Sequence, residues 1–538
     1  MRPIILQPDY TQNRGGYQLA IPANVEILIP SDDSVRLLSQ VLEVLDYRQL
    51  EKAASYQKRK GPSRKQLLKI VVYGYMNGLY SSRDINQACR RDINFMFLLE
   101  GKKAPSKSTI AQFRSETPPG VVEDLFAQLS ERLLEWGEIS GKILYVDGTK
   151  FEANANRYSF VWRKAVEKNQ DKLMEKLPGI LKKIQGENGL EAIVLGCSGI
   201  SEVKATLSAL EAIKEKQGVI FVHGTGKKKT GLQRGVETLR EILGRMEKYA
   251  AYAEIFQGRN SFSKTDHDAT FMRLKDDHMR NGQLKPAYNV QIGVDAEYIV
   301  GVDISSERSD VDAMLPLLKK VGQLSFAYET VVADAGYESE ENYSYLSSRK
   351  INANIKPINY EQSKGRSYKK DISRAENMAY NVALDYYLCS QGQQIVPMYE
   401  RKQKSKSGYV SSVTVYECES CDGCPVKEKC IRSKAKIDLE LRHKRFNISK
   451  DFQRFRSESL QKINSPAGIE LRVNRSIQVE GVFGAIKEDM SFRRFMLRGK
   501  EKVRSEFLFL AMGHNMLKLH SKIQHRRTGH YLHKIGAA

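Results

Sequence analysis

The alternation of apolar and polar residues predicts an α/β region in the middle of the chain. Residues 143–146, Ile-Leu-Tyr-Val, form a short apolar run that ends on Asp147 and a glycine. Residues 330–333 form a second such run, which ends on Asp334 and two small residues. Apolar runs of this length are typical of buried strands. We therefore predict two strands that each place a carboxylate at the rim of a sheet, although a solvated aspartate at a plain strand end gives the same pattern.

The sequence between these two runs predicts a β-hairpin and one helix. Apolar residues alternate over 288–294 and again over 298–304, with a short polar turn between them. Residues 310–321 then show helical spacing, with Pro316 at a kink or near the first turn. The order strand, hairpin, helix, strand is that of an α/β fold in which neighbouring strand ends can bring two carboxylates together.

The N-terminal part of the chain has a helical pattern. Residues 1–60 are interpreted as a leader, in which only 35–50 has helical spacing. From 61 to 137, clear start signals precede several short helices, and basic residues lie near one of them. This pattern predicts an all-α DNA-binding domain of the helix-turn-helix kind, with Lys107 and Arg114 as candidate DNA contacts. A plain helical bundle with a basic face is the alternative.

The charge of the chain points to a polyanionic partner. The 538 residues carry a formal net charge of +22, while 41% hydrophobic and 28% charged residues are ordinary for a globular protein. Nucleic acid is the commonest partner of so basic a chain, and a merely basic enzyme is the alternative. No run of eighteen apolar residues and no signal-peptide layout occur, so we expect a cytoplasmic, nucleoid-associated protein without a membrane partner.

Two long segments interrupt the predicted α/β region. Residues 158–284 are rich in Lys and Glu and are predicted to be a helical insertion. Residues 346–464 are basic and loop-rich and are predicted to be a second insertion. Residues 521–538 form a basic tail.

The second insertion contains four closely spaced cysteines. Cys418, Cys421, Cys424 and Cys430 have the spacing CxxCxxCx₅C. Four thiols at this spacing in an intracellular protein favour a tetrahedral structural Zn²⁺ site. An iron–sulfur cluster is the rival, but its usual proline follows the fourth cysteine, whereas Pro425 follows the third. Thiols without a metal are the remaining alternative.

A third acid and several basic residues lie near the C-terminus. Glu480 and Lys487 are seven residues apart on a predicted helix, hence on nearly one face and roughly 10 Å apart along its axis. Arg493 and Arg494 follow as candidate DNA contacts. Taken alone, this stretch also fits a solvated helix.

Together these motifs resemble bacterial insertion-sequence transposases of the DDE type. The resemblance rests on VDGTKFEANAN with Asp147, VVADAGYES with Asp334 and QVEGVFGAIK with Glu480. It is nearest to the insertion-sequence 1182 family and covers most of the chain, including YNVQIGVD, the cysteine cluster and the GHNMLKL segment.

The resemblance implies an RNase H-like catalytic core formed by residues 138–157, 285–345 and 465–520. In such a core the three acids, Asp147, Asp334 and Glu480, would hold two Mg²⁺ or Mn²⁺ ions. With these ions the protein would cleave DNA at the element ends and transfer the strand into target DNA. It also implies that Lys487 contacts a DNA phosphate, and that a homodimer binds double-stranded DNA at the terminal inverted repeats. A catalytically silent DNA-binding relative and an RNase H-like nuclease without strand transfer are the alternatives.

The sequence departs from the family pattern just before the third acid. Related transposases show Tyr-x₂-Arg-x₃-Glu-x₆-Lys, but Val473 and Ser476 stand at the Tyr and Arg positions. Arg475 is one place off and would point about 140° away from Glu480 on an ideal α-helix. We therefore expect Glu480 and Lys487, but not Arg475, to belong to the site.

Overall fold

The computed structural model describes residues 28–53, 61–190, 199–224, 226–274, 282–432 and 437–533. These residues form two compact units, which we name the helical unit and the sheet unit. The helical unit contains the described residues of Met1–Ile139 together with Glu488–Ser491 and Phe507–His530. The sheet unit contains the described residues of Ser140–Lys487, Phe492–Glu506 and Tyr531–Ala538.

The helical unit is built from short helices whose starts are fixed by serine side chains. Ser63 caps one helix in a reciprocal capping box with Gln66, and Ser81 and Ser106 cap two others. The helices of the first 139 residues are α1 Ser34–Glu43, α2 Arg48–Lys52, α3 Arg64–Met76, α4 Ser82–Arg91, α5 Ile93–Leu99, α6 Lys107–Glu116 and α7 Pro119–Glu135. The prediction of an all-α N-terminal domain therefore agrees with the structure.

The boundaries of this unit differ from the predicted ones. The segment predicted to be part of a leader contains α1 and α2, and Val35 and Leu38 are fully buried in the unit. The helix predicted over 35–50 is broken, because the Asp46 side chain accepts a hydrogen bond from the backbone of Arg48 and starts α2 anew. Residues 507–530, most of which were assigned to the catalytic core, also pack here; Phe509, for example, stacks on Phe113.

The central sheet of the sheet unit is mixed. Its strands are β1 Ile143–Glu152, β4 Thr270–Arg273, β5 Leu284–Asp295, β6 Tyr298–Ser305, β7 Thr330–Ala333 and β8 Asn352–Ile355, and a separate pair is formed by β2 Phe160–Trp162 and β3 Ser261–Ser263. The spatial order is β6–β5–β1–β7–β8, with β4 also pairing with β5. The pairs β6–β5, β4–β5 and β5–β1 are antiparallel, whereas β1–β7 and β7–β8 are parallel.

The first strand is longer than predicted, and Asp147 lies within it rather than at its end. β1 pairs with β7 only as far as Val146, but it stays paired with β5 as far as Glu152. Gly148 does not break the strand, because it continues the antiparallel ladder opposite Gln291. Asp147 is therefore at the rim of the sheet only on the β7 side.

The predicted hairpin and helix are present. β5 and β6 are joined by a two-residue turn, in which Ala296 and Glu297 have positive φ values of 52° and 69°. Such a turn matches the twist of the flanking strands. A 3₁₀ turn, Val311–Ala313, leads into α11 Met314–Val321, and Pro316 lies in its first turn, where the missing N–H costs nothing.

The first insertion is helical, as predicted. It contains α8 Arg163–Glu187, α9 Gly199–Lys216 and α10 Gly231–Phe256, which bury a core of their own that includes Leu177, Val203 and Leu239. The insertion ends earlier than predicted, because β4 already belongs to the central sheet.

The second insertion contains a sheet where loops were predicted. Its strands are β9 Ala379–Asn381, β10 Tyr386–Leu388, β11 Gln394–Lys404, β12 Val410–Cys418 and β13 Arg445–Ile448, all paired antiparallel in the order β13–β12–β11–β10–β9. The helix α12 Glu340–Ser348 precedes β8. The short helices of the insertion itself are α13 Tyr360–Ser363, α14 Arg366–Lys369 and α15 Lys427–Cys430. The predicted boundary at 346 is too early, because β8 is part of the central sheet.

Helices return at the C-terminal end. They are α16 Lys450–Asn464, α17 Pro466–Arg475, a π-helical segment Ser476–Glu480, α18 Gly481–Gly484, a second π-helical segment Ala485–Asp489, and α19 Lys500–Gln524. α16 covers β8, where the hydroxyl of Ser459 donates to the carbonyl of Ile355 at 2.8 Å. Within the described ranges, no helix is both long and apolar enough to cross a membrane.

We predict that Asp295, at the end of β5, makes the stability of the sheet unit depend on pH. Burial raises the pKa of this carboxyl from 3.8 to about 6, which corresponds to at most about 3 kcal/mol. The folded state thus holds a proton that the unfolded state releases, so stability falls as the pH rises from about 4 to about 6. Thermal unfolding of wild type and Asp295→Asn at pH 4.5 and 7 measures this loss. The prediction would be contradicted if the difference in stability between the two proteins were the same at pH 4.5 and at pH 7.

Candidate active site

The parallel pairing of β1 with β7 brings two of the predicted acids together. Val146 pairs with Ala333, so the next residues along the two strands are Asp147 and Asp334. Neighbouring strands lie about 4.8 Å apart, which makes the two aspartates direct neighbours at the rim of the sheet. Both side chains are partly exposed there.

The two aspartates are held by the backbone in different ways. Asp334 follows β7 directly, as predicted, and caps the 3₁₀ turn Ala335–Tyr337 by accepting a hydrogen bond from the amide of Gly336 at 2.9 Å. Asp147 accepts a hydrogen bond from the amide of Gly148 at 2.8 Å. These bonds restrict each carboxylate to one orientation at the rim.

Arg475, which the sequence pattern had excluded, reaches this rim. One guanidinium nitrogen of Arg475 lies 3.2 Å from a carboxylate oxygen of Asp147. The expectation failed because it assumed an ideal α-helix, whereas Ser476–Glu480 is π-helical. In a π turn, residues five apart take the places that residues four apart take in an α-helix. The extra residue between Arg475 and Glu480 is absorbed in this way, and Arg475 reaches Asp147.

Glu480 lies on this π-helical segment, which packs against β1 and β5. Its side chain is exposed and accepts a hydrogen bond from the hydroxyl of Ser476 at 2.9 Å. The fold therefore brings the helix that carries the third acid to the strand that carries the first. The carboxylate of Glu480 itself points to solvent and to Ser476.

Lys487, on the second π-helical segment, contacts the same strand but is buried. Its side chain is 9% exposed, and its ammonium donates to the hydroxyl of Thr149 at 3.0 Å and lies 5.3 Å from the centre of the Phe151 ring. The side chains of residues 147, 149 and 151 lie on one face of β1, because side chains alternate between the two faces of a strand. Lys487 thus anchors the helix of residues 466–489, which we call the C-terminal helix, to the face that carries Asp147. The predicted contact of Lys487 with DNA phosphate stays a prediction.

The other predicted DNA contacts differ in their exposure. Arg493 and Arg494 are exposed next to the end of β1, where Arg494 also donates to the carbonyls of Ala153 and Ala155. In the helical unit, Lys107 is exposed at the start of α6 and lines a surface pocket that the start of α4 also lines.

Arg114, the last predicted DNA contact, is a structural residue. It is 2% exposed and donates to the carbonyl of Tyr80 at 2.7 Å and to the hydroxyl of Tyr75 at 2.6 Å. The prediction that Arg114 contacts DNA is therefore wrong. It lies on the inner face of α6, whereas Lys107 lies at the exposed end of the helix.

The cysteines predicted to bind zinc line one pocket of about 270 Å³ in the second insertion. Cys418, Cys421 and Cys430 are buried and Cys424 is half-buried. Cys389, which the spacing did not include, lines the same pocket. Burial, together with the neighbouring Cys421, raises the pKa of the Cys418 thiol to about 12.

Metal-binding geometry is not evident at either place. In the described part of the chain, no group of three or more His, Cys, Asp or Glu side chains is arranged so that it could hold a metal ion. The donor types nevertheless suit the expected metals, since adjacent carboxylates prefer Mg²⁺ or Mn²⁺ and clustered thiols prefer Zn²⁺. The metal sites therefore stay predictions.

Comparison with known protein families gives two matches. Residues 388–520 match a family described as the transposase DDE domain, and residues 23–116 match one described as a transposase domain (DUF772). No curated protein and no solved structure matches the chain. The first match includes Glu480 and Lys487, and the second covers most of the helical unit's N-terminal part. These two regions of the chain are therefore similar to domains of insertion-sequence DDE transposases.

Proposed function

We propose that this protein cleaves DNA at the ends of its insertion sequence and joins the freed strand to target DNA. The observation that carries the proposal is the adjacency of Asp147 and Asp334 at the rim of the central sheet, beside the helix that bears Glu480. Carboxylates in such an arrangement are the ligands that phosphoryl-transfer enzymes use for divalent cations.

The topology supports an RNase H-like core. In the order β6–β5–β1–β7–β8, β5 runs antiparallel to its neighbours, whereas β1, β7 and β8 are parallel. The strands that precede or carry the first two acids therefore lie side by side in the middle of a mixed sheet. The first acid lies on the central strand, the second follows the neighbouring parallel strand, and the third lies on the C-terminal helix. The match of residues 23–116 to the transposase domain DUF772 supports membership of the insertion-sequence 1182 family.

The residues at the rim divide the work of a metal-dependent reaction. Two Mg²⁺ or Mn²⁺ ions, when bound by Asp147, Asp334 and Glu480, would activate the attacking oxygen and stabilise the leaving oxygen. Arg475 balances the charge of Asp147, which otherwise faces the charge of Asp334 on the next strand. Lys487 holds the C-terminal helix in register with β1 through Thr149.

Double-stranded DNA is the partner that the charge and the exposed basic residues support. The formal net charge of +22 favours binding to phosphates, and Lys107, Arg493 and Arg494 are exposed. The substrates would be the terminal inverted repeats and the target DNA. Two ends must be paired for transposition, so we propose a homodimer that acts at the bacterial nucleoid.

We also propose that the thiol pocket of the second insertion holds a structural Zn²⁺ ion. Cys418, Cys421 and Cys430 are buried and line one pocket, which Cys424 also lines. A bound ion would tie the end of β12 to α15 and so hold this part of the insertion.

We predict that Asp147→Asn, Asp334→Asn and Glu480→Gln each abolish Mg²⁺-dependent cleavage of a DNA fragment that carries the element ends. Each variant removes a negative ligand while keeping the size of the side chain. DNA binding, measured by fluorescence anisotropy, should stay within about twofold, because phosphate contacts dominate affinity.

Two exposed acids provide matched controls for these variants, namely Asp312→Asn and Glu488→Gln. Both should cleave as wild type does. Cleavage by any of the three site variants would show that the metal ligands are assigned wrongly. Tight binding without cleavage by wild type would identify a silent DNA-binding relative, and cleavage without strand transfer would identify a nuclease.

We predict that Arg475→Ala lowers the cleavage rate by about ten- to hundredfold, the range found when a partner of a metal ligand is removed. The loss follows because Asp147 is left without its cation beside Asp334. Arg240→Ala removes an equal charge from an exposed ion pair with Glu211 in the first insertion and is the control. If both variants lose only DNA affinity, the ion pair has no role at the site.

We predict that the purified protein contains one Zn²⁺ per chain and that Cys421→Ser loses it. Inductively coupled plasma mass spectrometry measures the metal, and thermal unfolding measures the expected loss of stability. Cys89→Ser, which changes a buried thiol of the helical unit, should keep the metal. A native protein without zinc would refute the site.

A further inference from the structure

A buried polar network lies next to the two aspartates, on the sheet face opposite to the one that carries Asp147. Asn289 and Gln291 of β5 are at most 1% exposed, although the other face of this strand is apolar. They are the Asn and Gln of the YNVQIGVD stretch, to which no role has been assigned. Buried amides are costly unless they are hydrogen-bonded, so their partners indicate why they are present.

Gly148 makes room for this network next to Asp147. Gly148 and Gln291 are opposite each other in the β1–β5 ladder, so their side chains would share one face of the sheet. A Cβ atom on Gly148 would lie only 2.2 Å from the amide nitrogen of Gln291. The Gln291 side chain therefore occupies the space left by the missing side chain beside the first acid.

Asp310 fixes the orientation of Gln291. One carboxylate oxygen of Asp310 accepts hydrogen bonds from the amide nitrogens of Asn289 at 2.7 Å and Gln291 at 2.9 Å. A carboxylate only accepts, so the nitrogen end of the Gln291 amide must face Asp310. The oxygen of Gln291 is thereby turned to the other side, where it accepts from the hydroxyl of Tyr337.

Tyr337 closes the turn that carries the second acid. Its backbone belongs to the 3₁₀ turn that Asp334 caps, and its carbonyl accepts from the side chain of Asn342 at 2.8 Å. Burial raises the pKa of its hydroxyl well above the ordinary value, so the group stays protonated and donates. The charges that act on the pKa of this hydroxyl are those of Asp147, Asp310 and Asp334, which raise it, and that of Arg475, which lowers it.

We propose that Asp310, Gln291 and Tyr337 form a latch that sets the position of Asp334 relative to Asp147. Gln291 belongs to the strand paired with β1, and Tyr337 belongs to the turn after β7. The hydrogen bond between them joins the supports of the two acids below the rim. The three residues are positioning residues, and their catalytic role rests on the proposed function.

Tyr337→Phe tests the latch by removing one hydroxyl. In hydrogen exchange followed by mass spectrometry, the peptide that covers residues 334–340 should exchange faster than in wild type. In cleavage, the Mg²⁺ concentration for half-maximal rate should rise about tenfold or more, as for other residues that orient metal ligands. DNA affinity at a fixed salt concentration should not change, because no phosphate contact is removed.

Asp310→Ala provides a second, independent variant. It removes the one oxygen that accepts from both Asn289 and Gln291, so Gln291 loses its fixed orientation. The same two effects should follow, namely faster exchange over 334–340 and weaker use of Mg²⁺. Mn²⁺ should restore part of the rate in both variants if the geometry of metal binding, rather than folding, is affected.

Two matched controls separate the latch from general destabilisation. Tyr343→Phe removes a buried hydroxyl from α12, where its distance to the carbonyl of Ile355 is 3.5 Å. Asp312→Asn removes an exposed carboxyl two residues from Asp310. Both controls should match wild type in the exchange of 334–340 and in the Mg²⁺ requirement.

The results distinguish failure of the latch from failure of the proposed function. If wild type cleaves DNA and both latch variants match it in exchange and Mg²⁺ requirement, the latch is wrong while the transposase assignment stands. If wild type does not cleave, the catalytic role falls together with the proposed function. Faster exchange in Tyr343→Phe as well would also overturn the latch, because the effect would then be unspecific.

Discussion

The parallel pairing of β1 with β7 is the constraint on which the candidate site depends. It sets Val146 beside Ala333 and so makes Asp147 and Asp334 neighbours, although 187 positions of sequence number separate 147 from 334. Parallel strands need a long connection, and here it includes a helical insertion, a hairpin and α11. The first insertion leaves the sheet after β1 and returns at β4, so its length does not enter the register of β1 with β7. The register, rather than the length of the chain, determines the geometry of the site.

The C-terminal helix adapts to this rim through its two π-helical segments. Ser476–Glu480 brings Arg475 to Asp147, and Ala485–Asp489 contains Lys487, whose ammonium reaches Thr149. Each π turn absorbs a residue that an α-helix would rotate to another face. The widened segments thus allow one helix to make a charged contact on each side of Glu480. Because π turns are less favourable than α turns, their presence here is best explained by these contacts.

The sequence was sufficient for those features that follow from local periodicity. Apolar runs that end on Asp147 and Asp334, and the alternation over 288–304, predicted strands and a hairpin that the structure contains. It was insufficient where a tertiary contact decides. Arg114 and Lys107 are basic residues of one helix, and only packing against Tyr75 shows that the first is buried. Likewise, residues 507–520 were assigned to the catalytic core, whereas they pack in the helical unit. Ideal helical geometry also gave Arg475 the wrong direction.

The polar residues of β5 show a conflict between stability and site geometry. A strand covered on both faces would be more stable with apolar side chains at positions 289 and 291, because a buried amide that loses a partner costs about 1–3 kcal/mol. Here both amides are satisfied through each other and through Asp310 and Tyr337, two groups that lie beside the acids. A network of this kind has few alternative arrangements, since each member fixes the donor or acceptor role of the next. The stability of the core does not require this network. Holding the two like charges of Asp147 and Asp334 at a fixed separation does require it. The buried amides are therefore better understood as part of the site than as part of the core.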